Sequence, residues 1–592
     1  MGCEGASSES AAVRTGWRRS RSRRWGVWWL MLATSVILTR AIIAGGELAA
    51  QQPRSWQGAT PLACDDLPDD FDDLPDELPL ESLRQRVKSL DVDGQAASAG
   101  DSDAGGDSGA GGDSGASGER EGTLAGGGDA KAKGASGSGA GSDEKGGSGG
   151  DGEDESYYVR PLGYATIPDS EPPRYVTDLL NLEWVESPER NWLDLGFDYR
   201  MRYEYRDDDL RRPVAVRDEP LLLRTRGYLG LKEVLDPFRF TVEFEDAGLA
   251  NSQFPDTPRD VNRNELIQMY AELFFDELPG VDRQVEVRYG RMAFEVVDRR
   301  LIARNEWRNT TNEFQGLRGI VGRQEDDWQL DLFALNPLVL DTVRIDAADT
   351  STGFYGVVGD WRRWSRLVTM QPYYMVLDQH AGGRLPPSEI HTVGWRGYGV
   401  FEESGWDFDS DVAYQFGHVV SGRHRAFGVT GELGYSLDDP NKTRLSGFVG
   451  YASGDRDPND LDSERFERLY GFGRPWSSND YIIWENIIAP KVRMEMQPHE
   501  KLRLDGGYHT YWLASATDAW VTTNLQDPTG QSGTFLGQEL DIRVRWAANS
   551  RTNLTIGYAH FMPGEFPKSF GRSEDTDFLY FEALISLFPA KR

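Results

Sequence analysis

The sequence predicts an all-β fold, an antiparallel transmembrane β-barrel of about 18 strands behind a signal peptide and a disordered acidic, Gly/Ser-rich extension. Three observations predict it. Long stretches alternate strictly between apolar and charged residues, their number is even, and short turns alternate crudely with long loops. The first stretch sets Leu193, Leu195, Phe197, Tyr199, Met201, Tyr203 and Tyr205 against Asp194, Gly196, Asp198, Arg200, Arg202, Glu204 and Arg206. Period two over such a length exceeds the usual strand of a soluble domain, about 5 to 6 residues.

The chain of 592 residues divides unevenly by composition. Arg18, Arg19, Arg21, Arg23 and Arg24 precede an apolar run from Trp25 to Leu38 and then small residues, the order of a secretory signal over residues 1–50. Arg40 interrupts the run, so a retained anchor is the rival reading. Cys3 leaves with the signal, and Cys64 stands alone as an unpaired thiol, its "PLAC" context being a poor lipobox. Residues 51–90 are acidic and punctuated by proline. Residues 91–156 are Gly, Ser, Ala and Asp with almost nothing apolar, a composition that cannot offset ordering entropy and predicts a tether. About 60 such residues span roughly 40 Å.

The barrel is expected over residues 157–592. Its strands fall near 191–206, 221–233, 237–247, 264–276, 283–292 and 314–323, then 327–336, 353–361, 367–377, 390–402, 406–417 and 424–437. Six more follow near 442–453, 487–497, 501–512, 535–548, 551–562 and 577–588. The pattern is plainest where Phe238, Phe240, Val242 and Phe244 oppose Arg239, Thr241, Glu243 and Glu245, and where Leu540, Ile542, Val544 and Trp546 oppose Glu539, Asp541, Arg543 and Arg545. An apolar face toward lipid and a charged face toward a lumen fit both sets. A soluble sandwich or propeller would need shorter strands. Closure satisfies the backbone in hydrocarbon, and a barrel of this size encloses an aqueous channel unless loops block it.

The net charge of −32 disfavours nucleic acid as a partner but does not say where charges point. No HExxH, GxSxG, CxxC or Walker loop occurs, so neither catalysis nor a cofactor is implied. The seven histidines, at 380, 391, 418, 424, 499, 509 and 560, are scattered singly. Asp455, Asp457, Asp460 and Asp462 crowd one loop that begins like a calcium loop, but Asp460 stands where an EF-hand needs Gly and Phe466 where it needs Glu.

The tract Gly290 to Arg318 resembles a signature of the alginate-export family of bacterial outer-membrane barrels. It carries Gly290 with Arg291, Arg300 to Ile302, Glu306 with Trp307 and Asn309, and then Phe314, Gly316 and Arg318. Two further blocks agree, Tyr451 to Asp460 and Tyr511 to Trp520. The resemblance implies an 18-stranded barrel in the outer membrane of a Gram-negative-type envelope, passing an anionic polysaccharide through an arginine-lined constriction. It carries over most directly to Arg291, Arg300 and Arg318, with Arg304 and Arg308 beside them. Gln315 replaces the family's usual Asp, and "EVVD" replaces a Gly-containing turn, departures that bear on the ligand and leave the fold untouched.

The chemistry of inward residues fits that role. Guanidinium groups meet carboxylates in bidentate geometry, and rings of arginine select anions. Arg200, Arg202, Arg224, Arg226, Arg543 and Arg545 take inward positions, interspersed with acids that temper attraction and with which they can equally brace the wall. The expected partners are an anionic polysaccharide or oligosaccharide, outer-membrane lipid, and a periplasmic partner of the tether. A diffusion porin for small carboxylates and a plugged structural or adhesive barrel are the alternatives.

Overall fold

The computed structural model describes residues 156–163, 170–182, 190–383 and 385–588. The expected signal, acidic segment and tether, both cysteines and the last four residues lie outside them. The described residues belong to one compact unit, 152–592. Its strands are β1 (Val176–Asp178), β2 (Leu193–Asp207), β3 (Leu221–Leu231), β4 (Phe238–Ala250), β5 (Asn262–Phe275), β6 (Val285–Met292), β7 (Phe314–Val321), β8 (Trp328–Val339), β9 (Ala347–Ala348) and β10 (Thr352–Trp361). There follow β11 (Val368–Gln379), β12 (Ser388–Phe401), β13 (Trp406–Val419), β14 (Gly422–Ser436), β15 (Arg444–Ala452), β16 (Ile487–His499), β17 (Leu502–Trp512), β18 (Phe535–Ala547), β19 (Thr552–Pro563) and β20 (Thr576–Ser586).

These 20 strands form one antiparallel sheet. Strands β1 and β9, of 3 and 2 residues, only extend edges, and the other 18 make a closed wall. Closure is the pairing of β2 with β20, where Asp198 faces Ser586 and Asp207 faces Asp577. All eighteen expected strands are present, with the largest offsets three residues, at 247 against Ala250 and 336 against Val339. Long segments such as 293–313, 453–486 and 513–534 gather at one end, and turns such as 402–405 and 500–501 at the other. Long loops mark the extracellular end of such barrels.

The wall has the two faces that alternation requires. In β2, Asp198, Arg200, Arg202, Glu204 and Arg206 are buried, while Met201 is 38% and Tyr203 36% exposed to the lipid side. Gly290 in β6 and Gly316 in β7 are cross-strand partners with φ of 141° and 153°. A Cβ on Gly290 would lie 2.2 Å from the Met269 carbonyl, and one on Gly316 2.3 Å from that of Ala334, so only glycine fits at these two motif positions.

The lumen differs from the expected wet channel. Its charges face one another and inserted loops, and Arg226 is only 1% exposed. Segments 293–313, 453–486 and 513–534 contribute Phe294, Ile302, Trp476, Trp484 and Trp520 to an apolar core with inward strand residues such as Phe354. An eighteen-stranded barrel is too wide for its own side chains to fill. Long loops therefore supply the filling, and alternation along strands does not report it.

Candidate functional site

The site is organised by segment 293–313, which leaves β6, crosses the lumen and returns to β7. On one side the Val297 carbonyl accepts from Arg396 of β12. In mid-lumen the Tyr470 amide donates to the Leu301 carbonyl at 2.9 Å, and the Ala303 amide to that of Tyr470 at 3.2 Å. On the far side Arg200 of β2 donates to the carbonyls of Glu306 at 2.7 Å and Arg308 at 3.0 Å, and to Asn309 Oδ1 at 2.9 Å. Arg202 donates to the Trp307 carbonyl at 2.6 Å. Val297, Arg299 and Asn305 take φ of 61°, 70° and 65°. Such values are costly for side chains of this kind and persist only where contacts over-determine the backbone.

At its tip the segment carries Glu306 into a cage of arginines. Arg226 Nη1 lies 2.7 and 2.6 Å from the two carboxylate oxygens, Arg224 Nη2 3.1 Å from one, and Arg304 Nε 2.8 Å from the other. The cage is tied to the wall, since Arg226 Nε also donates to Glu245 at 2.8 Å and Arg304 to Glu243. Burial alone would raise the Glu306 carboxyl. Arg226, then Arg224 and Arg304, outweigh it and hold the group well below the ordinary carboxylate range. The Glu306 side chain is 32% exposed while Arg224 and Arg226 are almost fully covered, so the acid forms the accessible side of the cage.

Trp307 joins the cage to the second inserted segment. Its ring lies between the guanidinium of Arg202 at 3.9 Å and that of Arg474 at 3.6 Å, with Tyr580 edge-on at 4.9 Å. Its Nε1 donates to Asp480 at 2.8 Å. Residues 474–480 are thereby locked to 306–308.

Of the residues singled out in the sequence, Arg200, Arg202, Arg224, Arg226 and Arg304 converge here. The side chains of the others find partners elsewhere. Arg291 pairs with Glu265, and Arg300 with Asp298. Arg308 donates to Asn312 at 2.6 Å. Arg318 pairs with Asp331 at 2.7 Å and Glu171 at 2.9 Å, while Arg543 and Arg545 share Asp505. Desolvation raises Glu171, but Arg318 and Arg288 hold it down at about 2. In the acidic loop, Asp455, Asp457 and Asp460 accept from loop amides two residues on, and Asp462 pairs with Arg423.

Reading the sequence missed the role of Glu306 as the hub, along with Arg474 and the inward Arg396, Arg444 and Arg493. Arg396 pairs with Asp409 at 2.7 Å, Arg444 with Asp407 at 2.7 Å, and Arg493 with Asp505 at 2.9 Å. Strand register would have found Arg493, which shares its face of β16 with Lys491 and Glu495, whereas Arg396 and Arg444 are the lone charges on theirs. Nothing periodic marks Glu306 or Arg474, which lie in loops.

A closed antiparallel wall with an apolar exterior and a charged interior defines an outer-membrane β-barrel of the channel-forming type. The chain belongs to the alginate-export family, whose pattern, described as alginate export, matches residues 191–580. Solved structures similar to it include Pseudomonas aeruginosa OpdQ (13% identity, TM-score 0.46, 67% of this chain and 97% of that one). The outer membrane protein opdK of the same organism (11%, 0.48, 67% and 98%) and Acinetobacter baumannii OccAB1 (8%, 0.47, 67% and 97%) are others. No curated protein matches the chain.

Proposed function

We propose that this barrel passes an acidic polysaccharide or oligosaccharide, of the alginate-like polyuronate class, along its inward arginines without chemical change to the cargo. One observation carries the reading: Arg224, Arg226 and Arg304 already hold a carboxylate, that of Glu306, in the lumen. A uronate carboxylate offers the same two oxygens and can take its place, each exchange replacing one charge-assisted contact by another. Glu306 then acts as a resident competitor that keeps any one sugar from binding too tightly to move on. Residues 1–50 serve as the signal, and 51–156 as an acidic segment and tether that reaches a periplasmic partner.

The apolar core inside the lumen favours a second reading, a barrel held shut by segments 293–313 and 453–486. Planar-bilayer recording of the refolded protein with oligouronate on one side tests both. Anion-selective current blocked by oligouronate supports the proposal. Anion current blind to oligouronate supports a small-carboxylate porin, and a folded barrel without current supports the shut one.

A further inference from the structure

A second cluster of buried acids lies at the long-loop end. Glu265 of β5, Glu313 at the end of segment 293–313 and Asp346 just before β9 are 0%, 3% and 1% exposed. One carboxylate oxygen from each lies within 4.8 Å of the others. Strand irregularity builds the cluster. The register between β4 and β5 shifts twice, and Asn264 takes φ of 57°, so Asn262 and Glu265, three apart, both point inward where plain alternation would separate them.

The hydrogen bonding leaves the cluster incomplete. Asn262 Nδ2 donates to Asp346 Oδ2 at 2.9 Å, the Asp341 amide to Asp346 Oδ1 at 2.6 Å, and the Asp346 amide to Glu265 Oε2 at 2.7 Å. Arg291 pairs with Glu265 and donates to the Asp346 backbone carbonyl. Both carboxylate oxygens of Glu313, and Oδ1 of Asn262, are buried with no partner among those residues. A buried polar atom without a partner costs about 1–3 kcal/mol, more when charged, so two such oxygens on one carboxylate call for a ligand.

We propose that Glu265, Glu313 and Asp346, with the Asn262 amide oxygen, form a calcium site. The donors are all oxygen, which selects a hard cation over zinc or copper. At Ca–O distances of about 2.3–2.6 Å, two ligands on opposite sides of one ion are separated by roughly 4.6–5.2 Å, which the 4.8 Å spread accommodates. Magnesium retains several waters and demands a stricter octahedron, and three dry carboxylates suit it poorly. Three negative charges beside one guanidinium would welcome two positive ones.

Without an ion the three carboxylates crowd one another in a dry setting. Burial, then Glu265 and Asp346, raises Glu313 well above the carboxylate range. Burial, then Glu265, pushes Asp346 up to about 7 against its hydrogen bond from the Asp341 amide. The ion would tie the wall at β5 to segments 293–313 and 340–351, fixing one end of the lumen-crossing segment.

The test is calcium chloride titration, by calorimetry and by thermal unfolding, of the full refolded chain in detergent after chelator treatment at pH 7.5. The expected result is one saturable site and a Tm that rises with calcium. Glu313→Gln and Asp346→Asn should each weaken binding at least about tenfold while the proteins still show barrel heat-modifiability. Asp457→Asn with Asp460→Asn, in the acidic loop, should leave it unchanged. No saturable site in the wild-type protein overturns the proposal. So does a site lost with the acidic-loop pair, or one unaltered by Glu313→Gln and Asp346→Asn.

Discussion

Arg226 and Glu306, 80 residues apart in sequence, meet inside the barrel with one guanidinium nitrogen 2.7 and 2.6 Å from the two carboxylate oxygens. The first stands on the rigid wall and the second on an inserted segment, so the pair couples the channel's lining to its obstruction. Removing one partner of a fully buried pair costs about 3–5 kcal/mol. The partial exposure of Glu306 puts the cost below that range, and Glu306→Gln should fold with a lowered Tm and a more anion-selective current.

The same pair fixes a pH dependence. Because the folded-state carboxyl of Glu306 is depressed, its stabilisation is present above the unfolded value near about 4.3 and is lost as pH falls through the folded value. The Tm difference between wild type and Glu306→Gln should therefore shrink below pH 4. A difference constant from pH 3 to 7 contradicts this.

Arg200 holds the inserted segment by its backbone. Arg200→Ala removes the nearer donor of the carbonyls of residues 306 and 308 and leaves them the longer contacts of Arg224, at 3.3 and 3.4 Å, so the cost per carbonyl falls below the roughly 1–3 kcal/mol of a full orphan. The variant should be cut by protease within 293–313 and give a noisier current. Arg200→Lys keeps the charge but not the fork, and should fall between.

Glu485, beside Glu467 in the second inserted segment, predicts the opposite trend. Burial, then Glu467, raises its carboxyl to about 8 against the pull of Arg468. A raised acid contributes stability below its unfolded value and loses it as pH rises through 8. Thermal unfolding should show Tm falling between about pH 5 and 8 and levelling above, and Glu485→Gln should flatten that slope.

Sequence and structure agree where lipid enforces a rule. Alternation in β2 placed Arg200 and Arg202 inward and Met201 and Tyr203 outward, because a strand residue has only two sides and hydrocarbon rejects charge. Met201→Arg should accordingly cost about 2–4 kcal/mol in a refolding titration if it sits at the bilayer midplane. The site was less legible. Five of the arginines picked from the sequence do meet, but the carboxylate that unites three of them lies in a loop whose path follows tertiary contacts and no period. Glu265 escaped notice for another reason: the irregularity around Asn264 changes which residues share a face.

The central claim is that the arginine cage is a carboxylate relay in which Glu306 competes with the cargo. Single-channel recording of wild type and Glu306→Gln with graded oligouronate tests it most directly. The account predicts reversible block in both, at about tenfold lower oligouronate in the variant, a difference of about 1.4 kcal/mol. Equal blocking concentrations in two conducting, folded proteins would contradict it.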